Sequence, residues 1–420
     1  MGMTMAEKIL ARASGRDKVV PGEYVTATVD VIMGHDGTFP RAYELMKENG
    51  FNKIKHPEKM VVVADHRVPA TNVAAAETHR KMREYVREQG IENFYDAGSG
   101  ICHVVLPEKG HALPGRLIVG GDSHTTTYGA LGAASTGIGS SELAYSMIKG
   151  ELWFRVPETI KFLLKGELDK GVTPKDIQLK IAGTHSAEVA QYKAVEHAGP
   201  AATALSVDER MTLSNMGIEI GAKFSFFAAD EKTLAYLKER TSEQVEPFGP
   251  DEDAAYLAVY EMDVSGLEPQ VALPHNVDNV KPVGEVGEIL VHQAFLGSCT
   301  NARTEDLEAA AALIKGHTVS PWTRLLVIPG SHEIFLNLTK SGAIQTFLEA
   351  GAMIGTPGCG PCGGGHMGIL APGENAVTCT NRNFKGRMGS PESFVYLASP
   401  VTVAASAIEG KITDPRKYLT

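Results

Sequence analysis

Apolar residues in this chain fall into short runs, each closed by a polar or reactive residue. Residues 60–64 read Met60-Val61-Val62-Val63-Ala64, residues 117–119 read Leu117-Ile118-Val119, and residues 325–328 read Leu325-Leu326-Val327-Ile328. Two further runs, 289–296 and 376–380, have the same character. Continuous apolar runs of this length predict strands buried on both faces. The alternating stretch 24–31 predicts one more strand. Between the runs, residues 5–13, 41–49, 73–89 and 304–314 repeat apolar positions at helical spacing. Gly50 is a natural stop for the second of these, and Thr304 a plausible N-cap for the last, with Glu305 and Asp306 in its first turn. Strands alternating with helices predict an α/β fold on largely parallel sheets.

Two composition shifts suggest boundaries. Residues 158–173 pass from a helical run into a Gly/Pro loop, and residues 264–286 are rich in Pro, Gly and Asn, which reads as a linker. The expected units are therefore 1–160, 161–275 and 276–420, without internal repeats or low-complexity tracts.

Reactive side chains follow the apolar runs: Asp65-His66, Asp122-Ser123-His124-Thr125, Cys299, and Asn381-Arg382-Asn383. Sheets of parallel strands bind ligands just beyond strand ends, so these positions predict one site assembled from several units. Across its 420 residues the chain carries a formal charge of −10, which argues against nucleic acid as a partner. A small anionic substrate would need a pocket locally opposite in sign to that average. No apolar run approaches the roughly 18 residues of a membrane span, and the N-terminus lacks signal-peptide layout, so a cytoplasmic location is expected. Five cysteines, an odd number in a long chain, suit a reducing compartment better than a disulfide framework.

Cys359-Gly360-Pro361-Cys362 is open to several readings: half a zinc site with His366 as a further ligand, a redox pair, or ligands of an iron–sulfur cluster joined by Cys299 in Gly297-Ser298-Cys299-Thr300-Asn301. Cys102 and Cys379 read as inert thiols, the latter inside an apolar run. Asp65-His66 alone is a weak signal, strengthened by His103 and Asp122-Ser123-His124, because carboxylate–imidazole pairing sets a tautomer and raises basicity. His35 fits a capping, core or functional histidine. Asn215 and Glu219 would share one face if their segment is helical, although on spacing alone a solvated helix surface explains them better. Residues 381–387, with Arg382 and Arg387, form a carboxylate-clamp candidate or a basic surface loop.

Together, Gly297-Ser298-Cys299-Thr300-Asn301, Cys359-Gly360-Pro361-Cys362, Gly121-Asp122-Ser123-His124-Thr125 and Asn381-Arg382-Asn383-Phe384-Lys385-Gly386-Arg387 resemble the aconitase superfamily, and the resemblance runs through essentially the whole chain. It implies three α/β domains with the active site at strand C-terminal ends between them. Cys299, Cys359 and Cys362 would hold a [4Fe-4S] cluster with one iron not ligated by protein, beside Asn215 and Asn381. Asp65–His66, Asp122–His103 and Glu219–His124 would form acid–imidazole pairs around it, with His66 protonating a departing hydroxyl. Ser123, Arg382 and Arg387 would contact substrate carboxylates, and His35 would face substrate too. The implied activity is dehydration and rehydration of a hydroxy di- or tricarboxylate. Isopropylmalate in leucine biosynthesis fits best, with homocitrate, citramalate and dimethylmalate as alternatives. A separate small subunit would carry a fourth domain with the base. Val104 and Ala302 depart from the pattern of Gln and Gly common at those positions, which bears on substrate choice. A zinc-stabilised protein or an RNA-binding one is the more distant reading.

Overall fold

The computed structural model describes residues 2–419. Its first sheet has five parallel strands in the order Asn93–Tyr95, Met60–Val63, Val31–His35, Leu117–Gly120, Ala134–Gly137. Along Met60–Val63 the side chains alternate between two apolar clusters, Met60 and Val62 joining one, Val61 and Val63 the other. Helices Phe39–Glu48 and Ser140–Lys149 bring Met46 and Leu143 to the first cluster, while Cys102–Glu108 brings Leu106 to the second. Cover on both faces is why the sequence there shows no polar alternation.

The second sheet has four parallel strands: Phe224–Phe227, Ala194–Ala198, Thr159–Lys165, Ala258–Asp263. A third, seven-stranded sheet runs Val280–Pro282, Gln270–Ala272, Phe394–Leu397, Asn375–Thr378, Gln293–Leu296, Arg324–Val327, Met353–Ile354. Its last five strands are parallel, and Gln270–Ala272 pairs antiparallel to both neighbours. No described helix is long and apolar enough to cross a membrane.

Four local expectations need correction. The stretch 24–31 is two strands' worth of chain: Tyr24–Thr28 pairs antiparallel with Glu151–Arg155 in a separate ribbon, and Val31–His35 enters the first sheet. Asp30 makes the break, its carboxylate accepting from the Leu117 amide at 2.8 Å. The helical reading of the start of 158–173 fails, because Thr159–Lys165 is a strand whose Ile160, Phe162 and Leu164 enter one cluster at a period of two. The supposed linker 264–286 holds the strands Gln270–Ala272 and Val280–Pro282, so the chain enters the third sheet between Asp263 and Gln270, ahead of the expected cut at 275. Arg303, not Thr304, caps the helix Thr304–Ile314, and its amide donates to Asp306 at 3.1 Å.

Candidate active site

The C-terminal ends of the first and third sheets face one another across a cavity of about 220 Å³. From the first sheet, His66 follows Met60–Val63, and Asp122, Ser123 and His124 follow Leu117–Gly120. His103 comes from the helix Cys102–Glu108. From the third sheet, Ser298 and Cys299 follow Gln293–Leu296, Asn381, Arg382 and Arg387 follow Asn375–Thr378, and Cys359 and Cys362 flank or enter the 3-10 turn Gly360–Gly363. The second sheet's connections contribute Asn215 and Glu219, which bond to this lining.

All three thiols predicted to act together reach this cavity. The Asn215 and Asn381 amides donate to the Cys299 sulfur at 3.2 and 3.5 Å, and Arg387 donates to Cys362 at 3.4 Å. Ser298 Oγ lies 3.9 Å from the Cys299 sulfur and 3.5 Å from that of Cys362. It is held there by a left-handed backbone at φ 80°, a strained conformation for a residue with a side chain. Burial pushes the Cys299 thiol up to about 11 and raises Cys359, whereas at Cys362 the Arg387 guanidinium overcomes burial and lowers it.

Three carboxylates meet three imidazoles. Asp65 Oδ1 accepts from His66 Nδ1 at 2.6 Å, and Asp65 Oδ2 accepts from the Cys102 amide at 2.8 Å. Asp122 lies 2.7 Å from His103 Nε2, whose Nδ1 is 3.1 Å from Tyr128 Oη. Glu219 lies 2.9 Å from His124 Nε2 and accepts from Arg382 Nε at 2.8 Å. Burial would lower His66, but the Cys359 sulfur, Asp65 and Asp122 outweigh it and hold the imidazole well above the usual histidine range. His124 is likewise raised against its burial by Asp122 and Glu219, while burial prevails at His103 and lowers it. Asp122 and Glu219, though buried, are lowered by those histidines, so both stay ionised. Ser123 Oγ sits 3.4 Å from His124 Nδ1 on the cavity wall.

Several expectations change here. His35 does not line the cavity: its Nδ1 accepts from the Gly37 amide at 3.0 Å, its Nε2 meets the Gly121 carbonyl at 3.1 Å, and its ring stacks behind His66 at 4.0 Å. Asn215 and Glu219 do not share a helical face, because the helix Val207–Asn215 ends at Asn215 and a 3-10 turn carries Glu219. His366 does not join the cysteines; it lies 3.3 Å from the Pro69 carbonyl. Val104 packs into the third sheet's apolar core and Ala302 is buried behind the Cys299 loop, so both departures touch packing. Two participants carried too weak a signal to be singled out. Asp36, which bonds the turn carrying His66, looked like any turn aspartate after a strand, and Lys175 lay in an unremarkable helix start.

The donor set fits an iron–sulfur cluster. Three sulfurs line one cavity, amide and guanidinium donors already point at two of them, and Cys102 and Cys379 lie outside the lining. Cys379 is engaged by the Gly297 amide at 3.4 Å, and burial lifts its thiol to about 12. Among the described residues, buried Asn381 Oδ1 and Arg387 Nε have no hydrogen-bond partner beside this space, polar atoms that a bound group and its ligand could satisfy.

A family model described as the aconitase family (aconitate hydratase) matches residues 7–289 and 284–410. The 3-isopropylmalate dehydratase large subunit 1 of Methanopyrus kandleri is 55% identical over 419 residues, 100% of both chains. The probable 3-isopropylmalate dehydratase large subunit of Methanothermobacter thermautotrophicus is 52% identical over 415 residues, 99% of each chain. The 3-isopropylmalate dehydratase large subunit 1 of Pyrococcus furiosus is 50% identical over 421 residues, covering 100% of this chain and 99% of that one.

Proposed function

The chain belongs to the aconitase family, and on that premise we propose that it is the large subunit of a two-subunit hydro-lyase interconverting 2-isopropylmalate and 3-isopropylmalate in leucine biosynthesis. One observation carries the reading: three thiols, three acid–imidazole pairs and two arginines converge on a single cavity of about 220 Å³. Full-length similarity to relatives named as large subunits supports a separate small-subunit partner.

Enzymes of the aconitase family use a [4Fe-4S] cluster, and we assign one here to Cys299, Cys359 and Cys362, with Asn215 and Asn381 tuning the Cys299 sulfur. When bound, the cluster supplies Lewis acidity through an iron that has no protein ligand. Arg382 and Arg387 bind the substrate carboxylates, and Ser123 adds a hydroxyl donor at the wall. Glu219 holds Arg382 Nε, which leaves the terminal guanidinium nitrogens for the ligand. His66 carries the proton that the departing hydroxyl takes, because Asp65 secures Nδ1 and leaves Nε2 toward the cavity, 3.6 Å from Asp122. Asp122–His103 and Glu219–His124 keep the wall beside His66 polar and fixed. The base that removes the carbon-bound proton is assigned to the small subunit. The same groups run in reverse as water returns to the adjacent carbon. Three units, each with its own sheet, bring these groups together.

The test is anaerobic reconstitution with the small subunit, followed by assays on 2-isopropylmalate, homocitrate, citramalate and dimethylmalate. Isopropylmalate should turn over fastest, with about four irons per chain, and Cys362→Ser should lose the broad visible absorbance. Stoichiometric zinc instead of iron, or turnover of only another hydroxy acid, would overturn the assignment.

A further inference from the structure

Asp36 lies in the turn after the strand Val31–His35 and is only 4% exposed, yet among the described residues no lysine or arginine pairs with it. A buried carboxylate is costly unless charge or dipoles compensate it. His66 Nδ1 stands 3.8 Å from Oδ1, outside hydrogen-bond range, and the direct contacts are donors. Oδ1 accepts from the amides of Asp65 at 3.2 Å and His66 at 3.0 Å, and Oδ2 accepts from the Arg67 amide at 3.0 Å and from His79 Nε2 at 3.2 Å. Three successive amides aimed at one anion form a nest, and four donors fill the acceptor capacity of a carboxylate.

The turn so held carries both Asp65 and His66, and its Asp65 carbonyl accepts from the Cys359 amide at 2.9 Å. The His66 side chain remains 32% open, so the ring has no tight pocket of its own. Its orientation comes from Asp65 at Nδ1 and from the stacked His35, which is itself pinned by Gly37 and Gly121. Residues 35–37 therefore fix both the backbone and the ring plane of His66. The ligand atoms of His35, Asp36, Asp65 and His66 lie within 4.8 Å of one another, which would suit a cation. The filled oxygens of Asp36, the two occupied nitrogens of His35 and the Cys102 amide on Asp65 argue for a hydrogen-bonded frame instead.

We propose that Asp36 is a positioning residue that clamps the 65–67 turn and so sets the imidazole of His66 against the reacting hydroxyl. The proposal rests on the reading of His66 as the proton carrier. Asp36→Asn puts an amide NH2 against one of the two donor pairs while keeping the volume. In the reconstituted two-subunit enzyme it should lower kcat about 10- to 100-fold with KM within about twofold and cluster absorbance unchanged. In a His66→Ala background the same substitution should change kcat less than about twofold, since residues acting through one another are not additive. Deuterium exchange in a peptide spanning residues 60–72 should rise in Asp36→Asn and leave the other sheets unchanged. His79→Ala removes a single donor from the other side and should give a smaller change of the same kind, which carries the test if Asp36→Asn does not fold. Unchanged kcat and exchange, or kcat losses that simply multiply with those of His66→Ala, would overturn the proposal. If the parent enzyme fails to turn over isopropylmalate, the functional reading falls, while exchange at 60–72 still decides whether Asp36 clamps the turn.

Discussion

Glu108 is half-buried against the third sheet's loop, where it accepts from Ser331 Oγ at 2.7 Å. Burial pushes its carboxyl up to about 7 from an ordinary 4.5, against the hydroxyl's effect and helped by Glu333. Below about pH 4.5 both folded and unfolded chains hold the proton and the group costs nothing. As pH rises toward 7 the unfolded chain releases it first, so stability falls by at most about 3 kcal/mol and stays lower above pH 7. Glu108→Gln should therefore match the parent's denaturation midpoint at pH 4.5 and exceed it at pH 8. Equal midpoints at both would contradict the buried-acid account. In the cavity, Arg382 pairs with a substrate carboxylate and with the negative charge that develops beside it. Arg382→Ala should lose about 2–4 kcal/mol of transition-state stabilisation and keep the visible spectrum, measured as kcat/KM on the holoenzyme. Asp65-His66 was legible as neighbours in the chain. Glu219–His124, 95 residues apart, came from the family resemblance, because spacing carries no information about such a contact.

Elements were legible where local signals agreed. The helix Val73–Gln89 starts at Asn72, whose side chain accepts from the Ala75 amide, and stops at Gly90 with φ 67°. Thr159–Lys165 misled because its apolar residues are too few to separate period two from period 3.6 without knowing the neighbouring strands. The glycines around Cys359 and Cys362 are not equivalent: Gly360 and Gly364 are both left-handed with no room for a Cβ, and Gly365 is neither. Gly360 sits at φ 54°, and a Cβ there would lie 2.3 Å from Ile328 Cδ1, whereas a Cβ on Gly365 meets nothing within 4 Å. Gly360→Ala should cost about 1–2 kcal/mol from the left-handed backbone alone and reduce iron content after reconstitution. Gly365→Ala should match the parent in both.

Across the whole molecule the sheets are joined by buried polar ties near the cavity. Lys175, fully buried at the start of the helix Pro174–His185, donates to the Cys379 carbonyl at 3.1 Å and to the Thr380 carbonyl, just ahead of Asn381 and Arg382. Burial lowers its ammonium to about 8. Lys175→Met fills the same space and leaves two carbonyls unpaired, at about 1–3 kcal/mol each. Deuterium exchange should rise across residues 378–383 and kcat should fall, with the second sheet's protection retained. Unchanged exchange there would show that the tie does not hold the arginine loop.

The sequence by itself determined the α/β class, most strands and helices, and the reactive residue types at strand ends, since those follow from periodicity and caps within a few residues. Tertiary structure alone decided that His35 turns behind His66, that His366 leaves the cysteines, and that Asp36 anchors the His66 turn. Those outcomes depend on how separate sheets pack and on which buried polar atoms must then find partners, and no local pattern encodes either.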